Sequence, residues 1–309
     1  MDISKLGVFG HTAYDIIMKV DTLPERNTST AVETRVLKYG GTGANIATAA
    51  SLLGVETRLA SFVGEDISED YKSSLTGAGV NIHDLTVIEG ENTPTCWILS
   101  EEGGAQMAII DQGAVKKCGD RAVQKDTIRG SDIVHIGTGD IDYYNKVLDT
   151  AKGMDKTIAF DPAQELRYVH TPDSFAHFLK NSDFFFCNEG EFEVAKDYLG
   201  IDEEDEMLEW VDVLVITLGK AGSKLVTRGA CEGIPTYEPD RISDPTGAGD
   251  AYRAGFYAAL SRNFSLVDSC HIASARASYA LETDGPQDGN ITWKMVKERV
   301  NKGKIIAID

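Results

Sequence analysis

Asp244-Pro-Thr-Gly-Ala-Gly-Asp250 sets a glycine-rich turn directly before a carboxylate. Gly247, Ala248 and Gly249 are small enough for successive backbone N–H groups to turn toward one point, making a concave site for an anion. The residues that follow read as a helix starting at Asp250, and the partial positive charge of a helix N-terminus adds to the attraction. A phosphate suits such a place. A carboxylate beside a phosphate is electrostatically unfavourable unless it has a task, and accepting a proton from an attacking hydroxyl is one. The local alternative is a cap, because Asp in the first turn of a helix complements the dipole and satisfies free N–H groups.

Four other stretches carry candidate chemistry. Gly10-His-Thr-Ala-Tyr-Asp15 follows the first apolar run, so Asp15 lies near a strand's carboxyl end, either as a loop residue or as an acceptor for two sugar hydroxyls. Gly40-Gly-Thr-Gly-Ala-Asn45 opens a helix. Its glycines, Gly41 among them, admit a ligand close to the backbone, and Asn45 both donates and accepts; the plain reading is a Gly-rich helix start. Asn188-Glu-Gly-Glu191 reads as a capping box, or as a phosphate contact (Asn188) beside a carboxylate (Glu191) that anchors water around Mg²⁺. Thr217-Leu-Gly219, inside Val215–Gly222, ends a strand in a glycine turn that touches a nucleotide or simply makes a hairpin into Ser223–Thr227. The P-loop pattern, the third glycine of the dinucleotide fingerprint and the His-Glu-x-x-His pair are all absent.

The elements that must hold these residues alternate. Lys5–Gly10, Arg58–Val63, Ile133–Gly137, Thr157–Phe160, Asp183–Cys187 and Val213–Leu218 read as buried strands. Between them, Ala44–Leu53 carries apolar residues at 46, 49, 50 and 53, the spacing of a core-facing helix. Residues 141–152 and 188–199 read as helices too. This alternation predicts an α/β fold, with a mostly parallel central sheet covered by helices on both faces and ligands beyond the strands' carboxyl ends. Residues 16–38 and 93–112 are strand-like but polar on alternate positions, which predicts a small second sheet, a lid or dimer surface, inserted into one domain of residues 1–309.

A net charge of −19 argues against nucleic acid or an anionic membrane as partner, so amides, a metal ion and a few local basic residues must hold any phosphate. The five cysteines are scattered, with no Cys-x-x-Cys pair, and read as reduced thiols. No apolar run reaches the roughly 18 residues of a membrane span and no signal-peptide core precedes the first strand, so a cytoplasmic location is expected.

The ordered set of Asp15, Gly40–Asn45, Asn188–Glu191, Thr217–Gly219 and Asp244–Asp250 resembles the ribokinase-like, or PfkB, family of sugar and nucleoside kinases over residues 5–298. Gly10–Asp15, Val134–Asp140, Phe160–Leu166 and Asp250–Phe256 are similar to archaeal-type nucleoside kinases, which accept inosine, guanosine and cytidine. The resemblance implies a ribokinase-like three-layer α/β/α fold, with Asp250 as base and Gly247, Ala248 and Gly249 as anion hole. It implies Asp15, Gly41 and Asn45 on the acceptor's sugar, and Asn188, Thr217, Gly219, Gly222 and Ser274 along ATP. It implies Glu191 serving Mg²⁺ through water, Asp244 and Thr246 at a monovalent cation such as K⁺, and a homodimer. Gln112, Asp140 and Gln164 are further candidates for acceptor contacts, since a Gln amide can read the edge of a base. A sugar kinase of the same fold and a non-catalytic nucleoside- or sugar-binding protein are the competing expectations.

Overall fold

A computed structural model of the chain describes residues 3–101, 106–243 and 245–303. The central sheet contains β1 (Lys5–Phe9), β4 (Glu56–Gly64), β5 (Leu85–Ile88), β8 (Ile133–Ile136), β9 (Thr157–Phe160), β10 (Phe184–Asn188), β11 (Val213–Thr217), β12 (Ser223–Thr227) and β13 (Ala230–Ile234). Its order is β13-β12-β11-β10-β9-β8-β1-β4-β5. The run from β11 to β5 is parallel, and β12 and β13 add an antiparallel hairpin at one edge. All six expected strands are present.

Parallel strands buried on both faces need apolar residues at consecutive positions, and Phe184-Phe-Phe-Cys187 shows why. Phe184 and Phe186 point into a core formed with α1 (Thr42–Leu52), α2 (Glu69–Gly77), α7 (Ala248–Leu260), α8 (Leu266–Ala280) and α9 (Trp293–Lys302). Phe185 and Cys187 point the other way, into a core formed with α3 (Lys125–Arg129), α4 (Ile141–Gly153), α5 (Pro172–Lys180) and α6 (Glu189–Leu199). These two helical layers on one sheet make the three-layer α/β/α architecture.

A smaller sheet stands apart from the first. It has the order β3-β2-β6-β7, built from β2 (Ala13–Val20), β3 (Val32–Gly40), β6 (Thr95–Glu101) and β7 (Gln106–Asp111). The expected tracts 16–38 and 93–112 fall on these strands, with residues 21–31 as an irregular connection between β2 and β3. Among the described residues no helix is long and apolar enough to cross a membrane, and all five cysteines are free thiols.

Candidate active site

The loops after β1, β8 and β9 meet the N-termini of α1 and α7 at the carboxyl end of the sheet. Close backbone approach makes this possible. A Cβ on Gly43 would lie 2.7 Å from the carbonyl carbon of Gly10, so the start of α1 rests directly on the β1–β2 turn. A Cβ on Gly40 would stand 2.1 Å from Oδ2 of Asp15. The bare Gly40 therefore leaves room for the Asp15 carboxylate, while Gly41, at φ +88°, packs on the backbone of His11 and Ala13.

Asn45 and Asp250, 205 residues apart, are in contact: Asn45 Nδ2 donates to Asp250 Oδ2 at 2.8 Å. The amide of Asn45 is oriented from behind by Gln287, whose Nε2 donates to Asn45 Oδ1 and to the Tyr71 hydroxyl, each at 2.9 Å. Tyr71 in turn donates to the Gly40 carbonyl at 2.6 Å, closing a chain from Asp250 to the end of β3. Helix α7 begins at Ala248, two residues before the expected start. Its N-cap is Gly247 in the left-handed region (φ 78°), with no side-chain cap. The Ala248 N–H donates to the Pro245 carbonyl at 3.2 Å. The next amides of the first turn, on Gly249 and Asp250, are those a helix N-terminus offers to an anion.

Burial pushes the Asp250 carboxyl up to about 7, against the lowering effects of the Asn45 hydrogen bond and Arg253, while Asp161 and Asp15 push in the same direction as burial. Such a group takes up and releases a proton near neutrality. Arg253, one turn along α7, is buried and forked onto Asp161 at 2.7 and 3.1 Å.

A second buried carboxylate, Glu165, lies on the loop after β9. It accepts from Gln112 Nε2 and from the Gly139 N–H, each at 2.7 Å, and burial raises it to about 7. His11 Nε2 is 3.8 Å away, and burial lowers that ring to about 4, so it is neutral. Of the candidate acceptor contacts, Gln112 is therefore drawn to Glu165, leaving its Oε1 buried and unpartnered. Asp140 caps α4 by accepting from the Tyr143 N–H at 2.9 Å, and Gln164 is exposed.

On the other side of the sheet, Asn188 and Glu191 form the capping box of α6, each accepting at 2.8 Å from the other's backbone N–H. Glu191 is buried, and burial raises its carboxyl. Thr217 closes β11 and donates to the Cys187 carbonyl at 3.3 Å. The β11–β12 hairpin is realised. A Cβ on Gly222 would come within 2.0 Å of the Ile234 carbonyl oxygen, so packing alone demands that glycine, whereas the surroundings of Gly219 are open. Ser274 donates to the Pro235 carbonyl at 2.7 Å. Thr246 is exposed, and Asp244 lies outside the described residues. Among the described residues, the one group of three potential metal-binding side chains, His83, Asp84 and Asp126, sits before β5 and on α3, at the opposite edge of the sheet.

The family model for the pfkB family carbohydrate kinases matches residues 4–293. The chain belongs to the pfkB family. A nucleoside kinase of Methanocaldococcus jannaschii is 35% identical to this pfkB member over 304 residues, covering 98% of this chain and 99% of that one. The crystal structure of the M. jannaschii nucleoside kinase matches with a TM-score of 0.90 over 97% of this chain and 99% of that one. An ATP-dependent ribose-1-phosphate kinase of Halopiger xanaduensis is 27% identical over 281 residues, covering 89% of this chain and 91% of that one. This pfkB chain is accordingly an ATP-dependent kinase with the ribokinase-like fold.

Glu165, Arg253, Asp161 and Gln287 escaped the sequence reading. Arg253, Asp161 and Gln287 acquire their meaning from partners 92 and 242 residues away. Arg253 and Asp161 lie within the stretches Asp250–Phe256 and Phe160–Leu166 that resemble archaeal-type nucleoside kinases, but nothing local assigned them a role.

Proposed function

We propose that the protein transfers the γ-phosphoryl group of ATP to the 5′-hydroxyl of a nucleoside of the inosine, guanosine or cytidine type, giving the nucleoside monophosphate. The observation that carries this reading is a half-buried carboxylate, Asp250, ionising at about 7 beside Asn45 on a helix N-terminus without a side-chain cap. The M. jannaschii likeness, spanning nearly the whole of both chains, supports the nucleoside as acceptor.

In this mechanism Asp250 takes the proton of the attacking hydroxyl. A base whose pKa lies near the working pH is both ionised and basic enough to help. Gly247, Ala248 and Gly249 present the first turn of α7 to the charge that develops on the phosphoryl oxygens. Asp15, Gly41 and Asn45 hold the sugar. Gln112 meets the base through its unpartnered Oε1, with Asp140 and Gln164 at the rim of the acceptor pocket. Asn188, Thr217, Gly219, Gly222 and Ser274 lie along ATP.

Glu191, a buried carboxylate at the N-terminus of α6, would hold a Mg²⁺ through water. That ion neutralises phosphate charge when bound. Asp244 and Thr246 would hold a monovalent cation such as K⁺. The second sheet closes over the acceptor and keeps water from the phosphoryl group. The exposed Val32, Val36 and Leu37 on β3 and Met107, Ile109 and Ile110 on β7 would be covered by a second copy in a homodimer. The free thiols suit the cytoplasm.

The H. xanaduensis likeness raises a second reading, a kinase for a sugar or a sugar phosphate. The charge near Asp15 favours an uncharged acceptor. Lys38, directly across from Asp15 on β3, is paired with Asp288 at 2.7 Å, and His11 is neutral. A panel of inosine, guanosine, cytidine, ribose, fructose and ribose 1-phosphate, each with ATP, separates the readings by kcat/KM. Nucleosides are expected to exceed the sugars by at least an order of magnitude. Turnover of ribose or its phosphate without turnover of any nucleoside would replace this proposal by the second reading, and transfer to none would support a binding protein.

Gly40→Ala tests the acceptor site without removing a contact. The added methyl would overlap the Asp15 carboxylate and force it out of place. The expected result is a loss of roughly tenfold to a hundredfold in acceptor kcat/KM, by misplacement of a binding group, with KM for ATP little changed. Unchanged acceptor kinetics would remove Asp15 from the site.

A further inference from the structure

Beneath Asp250 lies a buried polar cluster that the proposed reaction leaves without a task. Arg253 is 5% exposed and Asp161 also 5%. The fork is bidentate: Nε donates to Asp161 Oδ2 at 2.7 Å and NH2 to Oδ1 at 3.1 Å. The third nitrogen, NH1, donates at 3.3 Å to the carbonyl of Gly249, in the first turn of α7. Behind Asp161 stands His135 on β8, its Nε2 3.9 Å from Oδ2 and its Nδ1 2.8 Å from the Tyr257 hydroxyl. Burial lowers His135 to about 4, so it contributes no charge at neutral pH.

A buried ion pair of this sort gives little net stability, because desolvation offsets most of the attraction. Its position is more telling than its strength. The guanidinium ties its own helix to the carboxyl end of β9 through Asp161, and its charge favours the ionised form of Glu191 on α6. Charged groups facing Asp250 are Arg253 on α7, Asp161 after β9 and Asp15 on β2, and the neutral Asn45 donates to it.

We propose that Arg253 is a positioning residue for phosphoryl transfer: pinned by Asp161, it fixes the first turn of α7 through the Gly249 carbonyl and keeps Asp250 in its proton-accepting form. This rests on Asp250 being the base. Arg253 and Asp161 act on Asp250 with opposite sign, so removing either one should move the pH dependence of the reaction in opposite directions. A role confined to packing would not.

The test is the acid limb of kcat against pH for wild type, Asp161→Asn and Arg253→Met, with fold verified by circular dichroism and by ADP-dependent thermal shift. Asp161→Asn takes away a neighbouring negative charge and leaves the arginine uncompensated. Its limb is expected to move to lower pH by about one unit, the size of shift a close charge produces. Arg253→Met leaves Asp161 and Asp15 facing Asp250 without the arginine's charge, and its limb should move to higher pH. Limbs that stay put, or that move the same way, overturn the proposal. If Arg253→Met does not fold, Asp161→Asn decides alone, and Arg253→Lys serves as its companion. The lysine keeps the charge but not the fork, so its limb should stay near wild type while kcat falls about tenfold through misplacement; a displaced limb would count against the proposal. An active Asp250→Asn variant would instead remove the base assignment itself, so the two failures are distinguishable.

Discussion

Replacing Asp250 by Asn lowers kcat by roughly three orders of magnitude, the scale of a lost general base, while nucleoside binding stays within a few-fold of wild type. Asn at this position still offers an oxygen to Asn45 Nδ2, so the hydrogen bond at 2.8 Å survives and the chain through Gln287 to Tyr71 keeps its shape. What disappears is the capacity to hold a proton. The wild-type rate should fall as pH drops through about 7, the point at which burial leaves the carboxylate half-protonated.

The same shift has a consequence for stability. The folded-state pKa is raised above the ordinary 3.8, so ionising Asp250 inside the fold costs free energy that grows as pH climbs from about 4 to about 7 and is fully present above it. Asp250→Asn removes that cost. Its Tm should exceed that of wild type at pH 8, with the difference closing toward pH 4. A variant that is inactive yet melts higher at pH 8 is the signature of a strained functional carboxylate. One that melts lower at every pH would mark Asp250 as a structural cap.

The second large effect belongs to Gly247. Its φ of 78° is one that L side chains rarely adopt, and a Cβ there would stand 2.4 Å from Cβ of Pro286. Gly247→Ala therefore pushes the start of α7 away from the loop that carries Gln287. A displaced anion hole costs about a hundredfold or more in kcat, judging from the loss of single oxyanion donors elsewhere. Gly247 is not among the acceptor contacts proposed above, so the larger loss is expected in kcat, with a smaller rise in acceptor KM transmitted through Gln287 to Asn45. Steady-state kinetics at saturating ATP, with nucleoside-dependent thermal shift as the binding control, separates the two quantities. Unchanged kcat would show that the turn takes no part in transfer.

How much of this was readable from the chain depended on whether a residue's role was local. Strands such as Val213–Thr217 announce themselves because a parallel sheet buried on both faces demands consecutive apolar side chains. The alternating tracts that became β2, β3, β6 and β7 were equally legible, since a half-exposed sheet reads every second residue. The start of α7 was misplaced by two residues because Gly247 caps through its backbone conformation, which leaves no Ser, Thr, Asn or Asp to mark it. At Gln164-Glu165 the exposed amide drew attention, whereas the buried carboxylate beside it is the one that holds Gln112. Which of two adjacent polar residues turns inward in a short loop is settled by tertiary packing. Arg253, Asp161 and Gln287 were hidden for the same reason: each is defined by a partner brought from a distant part of the chain.

The most direct test of the central claim is product analysis by ³¹P NMR after the wild-type protein has consumed inosine and ATP with Mg²⁺. The result expected is inosine 5′-monophosphate and ADP in equal amounts, with neither formed in the same time by Asp250→Asn. ADP accompanied only by inorganic phosphate, a phosphate on another hydroxyl, or full turnover by Asp250→Asn would contradict it.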